Sequence, residues 1–222
     1  MNSLKHVAFI MDGNGRWGLK KKRNRNYGHL KGLETVKKIV SGSIKLKIPV
    51  VTFYVFSTEN WKRPKVEVNF LFKLINNYFS KEIKNVIQLG IRLKILGEIN
   101  QLPKKMQKIL KKSEELTKEN KKIKVNLALN YGSKYEIFNT FKKCKNKLSL
   151  QKIEKNLYFK ESPDPDILIR TGGHKRLSNF MLWQLAYTEL FFLDKLWPDF
   201  RLQDFSKIIN KFKKIKRNFG SL

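Results

Sequence analysis

Six short apolar, β-rich runs, at residues 5–11, 49–56, 92–96, 124–130, 166–170 and 190–193, alternate with stretches of helical periodicity at 29–47, 66–89, 103–119, 133–147, 150–157 and 203–216. No other feature constrains the fold as much. A chain that returns through a helix between successive strands builds a mostly parallel sheet flanked by helices. The 66–89 stretch, from Val66 and Phe70 to Val86 and Ile87, carries an apolar face broad enough to cover such a sheet. At 222 residues, the expectation is one α/β domain over residues 1–222, with a central sheet of about six strands.

Ligands of parallel sheets belong in the crevice at the carboxyl ends of the strands. The first apolar run stops abruptly at Asp12 and passes into Gly13-Asn14-Gly15-Arg16-Trp17-Gly18. Later runs end in Phe56-Ser57-Thr58-Glu59-Asn60-Trp61-Lys62-Arg63, in Asn130-Tyr131-Gly132, and in Arg170-Thr171-Gly172-Gly173 leading to Arg176, Leu177 and Ser178. One sheet edge would gather all four, giving a cleft with an acid, several arginines, hydroxyls and an amide. Glycines let backbone N–H groups approach a ligand, and helix-start N–H groups favour anions. A carboxylate at the mouth of an anion site makes sense when a divalent cation bridges it to the anion. Residues 6–29 therefore read as a Mg²⁺-diphosphate site. Residues 13–18 also satisfy G-x-G-x-x-G, but a basic polar stretch, 20–26, follows them rather than an apolar-periodic helix. A dinucleotide site is disfavoured on that ground.

The net charge of +30 raises nucleic acid as a partner, yet only nine of the 48 basic residues are arginine. Lysines scattered on solvated faces of a Lys-, Asn- and Ile-rich chain are equally the product of compositional bias. The arginines are more telling. Arg16, Arg25, Arg63, Arg170 and Arg176 fall near glycines or at strand ends, where the guanidinium fork suits phosphate. The aromatics sit in periodic core patterns rather than among the basic residues, which argues against a nucleic-acid module. Cys144 is the single cysteine, so no disulfide framework is expected, and a reducing, cytoplasmic setting fits. The longest apolar stretch, 48–56, is far short of the roughly 20 residues of a membrane span. The first residues lack the apolar core of a signal peptide. A soluble protein is expected, with a basic surface suited to diphosphates and to anionic lipid headgroups.

The motifs H-V-A-F-I-M-D-G-N-G-R-W, Y-G-H, F-S-T-E-N-W-K-R-P, N-Y-G, R-T-G-G-x-x-R-L-S-N-F and W-P-D-F occur in that order along the chain. In this the chain closely resembles the cis-prenyltransferases, specifically the bacterial undecaprenyl diphosphate synthases, over nearly its whole length. The D-D-x-x-D of trans-type synthases is absent from the sequence. The resemblance implies repeated condensation of isopentenyl diphosphate onto an allylic primer such as farnesyl diphosphate. The product would be a long-chain Z-polyprenyl diphosphate such as undecaprenyl diphosphate, the carrier-lipid precursor for cell-wall polysaccharide. A shorter-chain cis-prenyl diphosphate synthase is the alternative. A homodimer is implied, with peripheral contact at the inner face of the membrane for product release.

The resemblance also implies roles for residues of this chain. Asp12 would bind Mg²⁺ and assist departure of the allylic diphosphate, which Gly13, Asn14, Gly15, Arg16, Arg25 and His29 would hold. Arg170, Arg176, Leu177 and Ser178 match the isopentenyl diphosphate clamp, and Glu189 a second metal-associated carboxylate. Trp17, Ser57, Thr58, Glu59, Trp61 and Arg63 match substrate-contacting positions. Asn60 occupies the position assigned to proton acceptance, although an amide oxygen is a poor base and an orienting or relaying role suits it better. The chain departs from the family at His174, where glutamate is usual, and in its tail, Lys216-Arg217-Asn218-Phe219-Gly220. An apolar tunnel for the growing chain would be walled by Phe53, Val55, Leu127 and Leu129 and by the 66–89 helix. Val55 and Leu129 are larger than the alanines common at these points in long-chain synthases.

Overall fold

A computed structural model describes residues 3–144 and 148–218. Six strands, β1 (His6–Ile10), β2 (Val50–Ser57), β3 (Ile91–Leu96), β4 (Ile123–Tyr131), β5 (Ile167–Arg170) and β6 (Glu189–Phe192), form one sheet in the order β3-β4-β2-β1-β5-β6. Every pairing is parallel. Among the described residues, seven α-helices accompany them: α1 (Asn14–Lys22), α2 (Arg25–Lys45), α3 (Lys65–Gln88), α4 (Lys104–Thr117), α5 (Ser133–Cys144), α6 (Leu150–Asn156) and α7 (Leu202–Lys214).

Side chains of a strand alternate between faces, and here both faces are covered, as a parallel sheet requires. Val7, Phe9, Val51, Phe53, Val125, Leu129, Ile167 and Ile169 pack beneath α2, α3, α4 and α7, with Trp197, Phe200 and Phe205 clustered on Phe9. Ala8, Ile10, Tyr54, Ala128 and Leu168 face the second cluster, which holds Phe159, Phe180, Met181 and Leu185.

The first helical segment differs from the sequence reading. The glycine-rich turn and much of the basic stretch after it are helical, forming α1, and α2 begins at Arg25 rather than at 29. The buried residues of α1 are Gly15 and Gly18. A Cβ on Gly18 would lie 2.6 Å from the Gly28 backbone nitrogen, and one on Gly28 would lie 1.8 Å from the Asn14 carbonyl oxygen. The helix is thus held by backbone contact with α2, not by an apolar stripe, and its sequence carries no apolar period. Lys20, Lys21 and Lys22 fill its last turn, where cations meet the negative end of the helix dipole. Asn24 caps α2 by accepting the Asn26 N–H at 2.9 Å.

Candidate active site

β1 continues toward β2 on one side of the sheet, whereas β5 continues toward β6 on the other, so the strand order reverses between β1 and β5. Crevices form at such points, outside the carboxyl ends of the strands. Asp12 and Arg170 are its two lips. Arg170 Nη2 meets Asp12 Oδ2 at 3.0 Å, and Arg16 Nη2 lies 3.4 Å from Asp12 Oδ1. The Thr171 hydroxyl and the Trp197 N–H both donate to the Asp12 carbonyl, at 2.8 and 3.0 Å. The aspartate backbone is therefore fixed before any ligand arrives.

Two glycines shape this loop. Gly13 starts α1 at φ +108°, a conformation L side chains rarely adopt. A Cβ on Gly15 would stand 2.6 Å from the Arg25 guanidinium carbon, so the arginine lies directly on that backbone.

The cleft is lined by Asp12, Gly13, Asn14, Gly15, Arg16, Arg25, His29, Ser57, Glu59, Asn60, Arg63, Arg170, Arg176 and Ser178, all anticipated from sequence, together with Tyr54 and Asn179. Five anticipated residues lie outside that lining. Trp17 stacks on Tyr27 and donates its indole N–H to Asp199 at 2.8 Å. Trp61 donates to Asn130 Oδ1 at 2.8 Å and packs on Phe56 and Phe72. Thr58 packs against Gly132, and Leu177 packs on the second core cluster. Glu189 opens β6 in register with Ile167, at the far end of the strands from Arg170, and lies 3.7 Å from Arg217 Nε. Within one chain it cannot share a metal with Asp12. Phe219 and Gly220 of the tail lie outside the described residues.

Arg170 has a structural part besides the one the resemblance implies. Its side chain is only 4% exposed. Its guanidinium is engaged by Asp12, by Ser178 Oγ at 2.7 Å and by the Arg176 carbonyl. It ties the Asp12 turn to the 176–178 loop, while its buried Nε has no partner within the protein. Arg16 and Arg176 are the exposed arginines beside it. The Asn60 Oδ1 accepts the Ser57 N–H at 3.2 Å, leaving the amide NH₂ as its available group. That arrangement suits a donor and not a base.

Glu67 was missed in the sequence. Buried in the first turn of α3, it accepts from Arg25 Nε at 2.9 Å and Arg25 Nη2 at 3.3 Å, from His29 Nε2 at 3.0 Å and from Arg63 Nη1 at 3.2 Å. Burial pushes its carboxyl up, but the hydrogen bonds of Arg25 and His29 and the charges of Arg25 and Arg63 outweigh that and hold it below the usual range. Burial lowers the His29 imidazole, and the Glu67 hydrogen bond only partly offsets it. The available signal was an acid four residues after Arg63, the spacing of a helical ion pair.

Beneath the cleft, between α2, α3 and the sheet, lies an apolar cavity lined among others by Val36, Phe53, Val55, Leu74, Leu127 and Leu129, and reaching down to Leu89 and Ile91. Met11, Asn14, His29, Val55 and Leu71 border both spaces, so they adjoin. No cluster of three or more His, Cys, Asp or Glu exists among the described residues. Asp12, with its side chain 29% exposed, is a fitting partner for a hard cation that keeps most of its ligands on phosphate and water.

A cationic crevice joined to an apolar cavity defines a protein for ligands with an anionic head and a hydrocarbon chain. Comparison with known proteins agrees. Residues 10–220 match the family described as "Putative undecaprenyl diphosphate synthase". The isoprenyl transferase of Oceanobacillus iheyensis is 42% identical, over 100% of this chain and 92% of that protein. Lavandulyl diphosphate synthase from Lavandula x intermedia, solved in complex with dimethylallyl diphosphate, superposes with a TM-score of 0.93 at 31% identity, covering 98% of each chain. A probable undecaprenyl diphosphate synthase from Campylobacter jejuni gives 0.86 at 33% identity, covering 100% of each. The chain belongs to the undecaprenyl diphosphate synthase family and is a prenyltransferase.

Proposed function

We propose that this enzyme condenses isopentenyl diphosphate with an allylic primer, farnesyl diphosphate, and repeats the step to give a Z-polyprenyl diphosphate. The observation that carries this reading is the junction of the arginine-lined cleft with the apolar cavity through five shared residues. One space suits two diphosphates and the other a lengthening hydrocarbon.

Arg16, Arg25 and the α1 backbone N–H groups hold the allylic diphosphate, and Arg176 with Ser178 holds that of the isopentenyl unit. In each cycle the allylic C–O bond breaks, a bond forms from C4 of the isopentenyl unit to C1 of the primer, and a proton leaves C2. Inorganic diphosphate departs, and its oxygens are chemically competent to take that proton, as the Asn60 amide is not. Asn60 donates through its NH₂ and orients the isopentenyl diphosphate. Asp12 would hold a Mg²⁺ ion, which when bound would help neutralise the charge that grows on the leaving group. The exposed aromatics of α5, Tyr135, Phe138 and Phe141, favour a homodimer built on that face.

The test is incubation of the purified protein with radiolabelled isopentenyl diphosphate, farnesyl diphosphate and Mg²⁺, followed by product chromatography. A ladder of polyprenyl products is expected, lost with EDTA. In Asp12→Ala, turnover should fall about a thousandfold, equivalent to about 4 kcal/mol of barrier. Full activity in EDTA, or an Asp12→Ala variant as fast as the wild type, would remove the metal-diphosphate assignment.

A further inference from the structure

Two walls of the cleft come from distant parts of the chain. The turn at Thr58–Lys62 presents Glu59 and Asn60, and the loop after Arg170 presents Arg176 and Ser178. In that loop Ser178, Asn179 and Met181 all have positive φ, at 51°, 62° and 48°. Of the three only asparagine tolerates this conformation readily. Such a run persists where its surroundings over-determine it. Phe180 stacks on Tyr54 with ring centroids 4.4 Å apart, and Phe180 and Met181 are fully buried. The Asn179 carbonyl accepts the Ser133 N–H at 2.8 Å and its Oδ1 the Lys134 N–H at 2.9 Å, so the residue satisfies the first N–H groups of α5. Its Nδ2 crosses to the other wall and donates to Glu59 Oε1 at 2.8 Å. Gly132 leaves the room for this, since a Cβ there would lie 2.7 Å from Asn179 Nδ2 and 2.6 Å from Thr58 Oγ1. Burial pushes the Glu59 carboxyl up, but hydrogen bonds from Asn179, its own backbone, Ser57 and Thr58 outweigh that and hold it below the usual range. The acceptor thus stays ionised at neutral pH.

We infer that Asn179 is a positioning residue that sets the spacing of these two walls through Glu59, and with it the seat of the isopentenyl diphosphate. The inference rests on the proposed function for the identity of that ligand. Ser178 Oγ already accepts from Arg170, which leaves the hydroxyl proton for a phosphate oxygen. Its place depends on the neighbour that pins the loop. Without the Asn179–Glu59 link the 176–182 loop parts from the 58–62 turn, and Arg176, Ser178 and Asn60 no longer meet one ligand together. Charge alone predicts the opposite for Glu59, because removing an acid from a cleft for anions tightens anion binding.

Isopentenyl diphosphate is titrated into the full chain by calorimetry without primer, so that no turnover occurs, and KM is then measured for both substrates. Glu59→Ala and Asn179→Gly should each weaken isopentenyl diphosphate at least tenfold in Kd and in KM, with the KM for farnesyl diphosphate within twofold of the wild type. Glu59→Ala combined with Asn179→Gly should lose little more than either alone, since both break one link. Asn179→Asp combined with Glu59→Gln exchanges donor and acceptor across the gap and should bind within threefold of the wild type. Circular dichroism should be unchanged throughout, and Glu59→Ala, at an exposed position, decides the matter where Asn179→Gly melts early. Unchanged or tighter binding in Glu59→Ala would overturn the inference. So would wild-type binding in Asn179→Gly, which would reduce Asn179 to its backbone conformation, or an exchanged pair as weak as Asn179→Gly. Additive losses in the combined variant, or an equal rise in both KM values, would overturn it as well. A wild type that binds isopentenyl diphosphate but forms no polyprenyl product would instead overturn the proposed reaction.

Discussion

Arg170 and Asp12 form an ion pair of 3.0 Å in which the arginine is buried and the aspartate faces the cleft. The same guanidinium fixes the 176–178 loop, so the two arginines of this segment should fail differently when removed. Arg170→Ala leaves Asp12 without its main cation and unties the loop. It should lower thermal stability by several degrees and kcat by at least a hundredfold. Arg176→Ala, at an exposed position, should leave the melting temperature unchanged and raise KM for isopentenyl diphosphate tenfold or more, with little change for farnesyl diphosphate. Steady-state kinetics with each substrate varied, alongside calorimetry, separate the two. Equal KM effects on both substrates would show that Arg176 does not distinguish the diphosphates.

Glu67 stands where three cationic or protonatable groups converge and sets the positions of Arg25, His29 and Arg63. Glu67→Ala should reduce kcat/KM for the allylic primer by about ten- to a hundredfold, equivalent to about 1.4–2.8 kcal/mol. Glu67→Gln keeps an acceptor oxygen and should fall between that variant and the wild type. A variant at wild-type efficiency would show that the arginines find their places unaided.

Val55 and Leu129 both line the apolar cavity, from neighbouring strands. Lengthening a chain against a packed wall costs about 1–3 kcal/mol, so their bulk should hold products at or below the common eleven-unit length. Val55→Ala or Leu129→Ala should shift the distribution longer when dephosphorylated products are separated by reversed-phase chromatography. An unchanged pattern in both would move the stop to the wall contributed by α3.

His6 is fully buried, and burial lowers its pKa to about 4, against partial support from the Pro163 carbonyl. Its Nδ1–H donates to that carbonyl at 2.6 Å, and Nε2 accepts from the Thr52 hydroxyl at 2.6 Å, the arrangement of a neutral ring. Below about pH 6.5 the unfolded chain takes up a proton that the folded chain refuses. Stability is therefore full above 6.5 and is lost progressively as the pH falls toward 4. The loss between pH 7.5 and pH 5 should be about 2 kcal/mol from this residue. Urea unfolding at both pH values should show a shallower dependence in His6→Gln than in the wild type. An identical slope would assign the acid sensitivity elsewhere.

Much of the cleft was legible because strand ends announce themselves. Asp12, Ser57 and Arg170 each follow an unbroken apolar run, and a parallel sheet leaves them one edge to share. α1 was not legible, because its buried face is glycine and hydrophobic periodicity cannot register a side chain that is absent. Glu67 was hidden for the opposite reason, as one charge among several in its helix, distinguished by partners that converge on it from α2 and from Arg63. Glu189 matched a motif position, but the register of β6 places it three residues before the level of Arg170.

The five residues bordering both spaces give the molecule a fixed zero. In the proposed reaction, a ligand held by its head at Asp12 would enter the cavity at Met11, Asn14, His29, Val55 and Leu71, and every unit added at the head would advance the tail by one step toward Leu89 and Ile91. The sheet would then act as a ruler whose length is counted in strand residues. Nothing at the far end would need to recognise the product, and the finished molecule would be the one that had run out of scale.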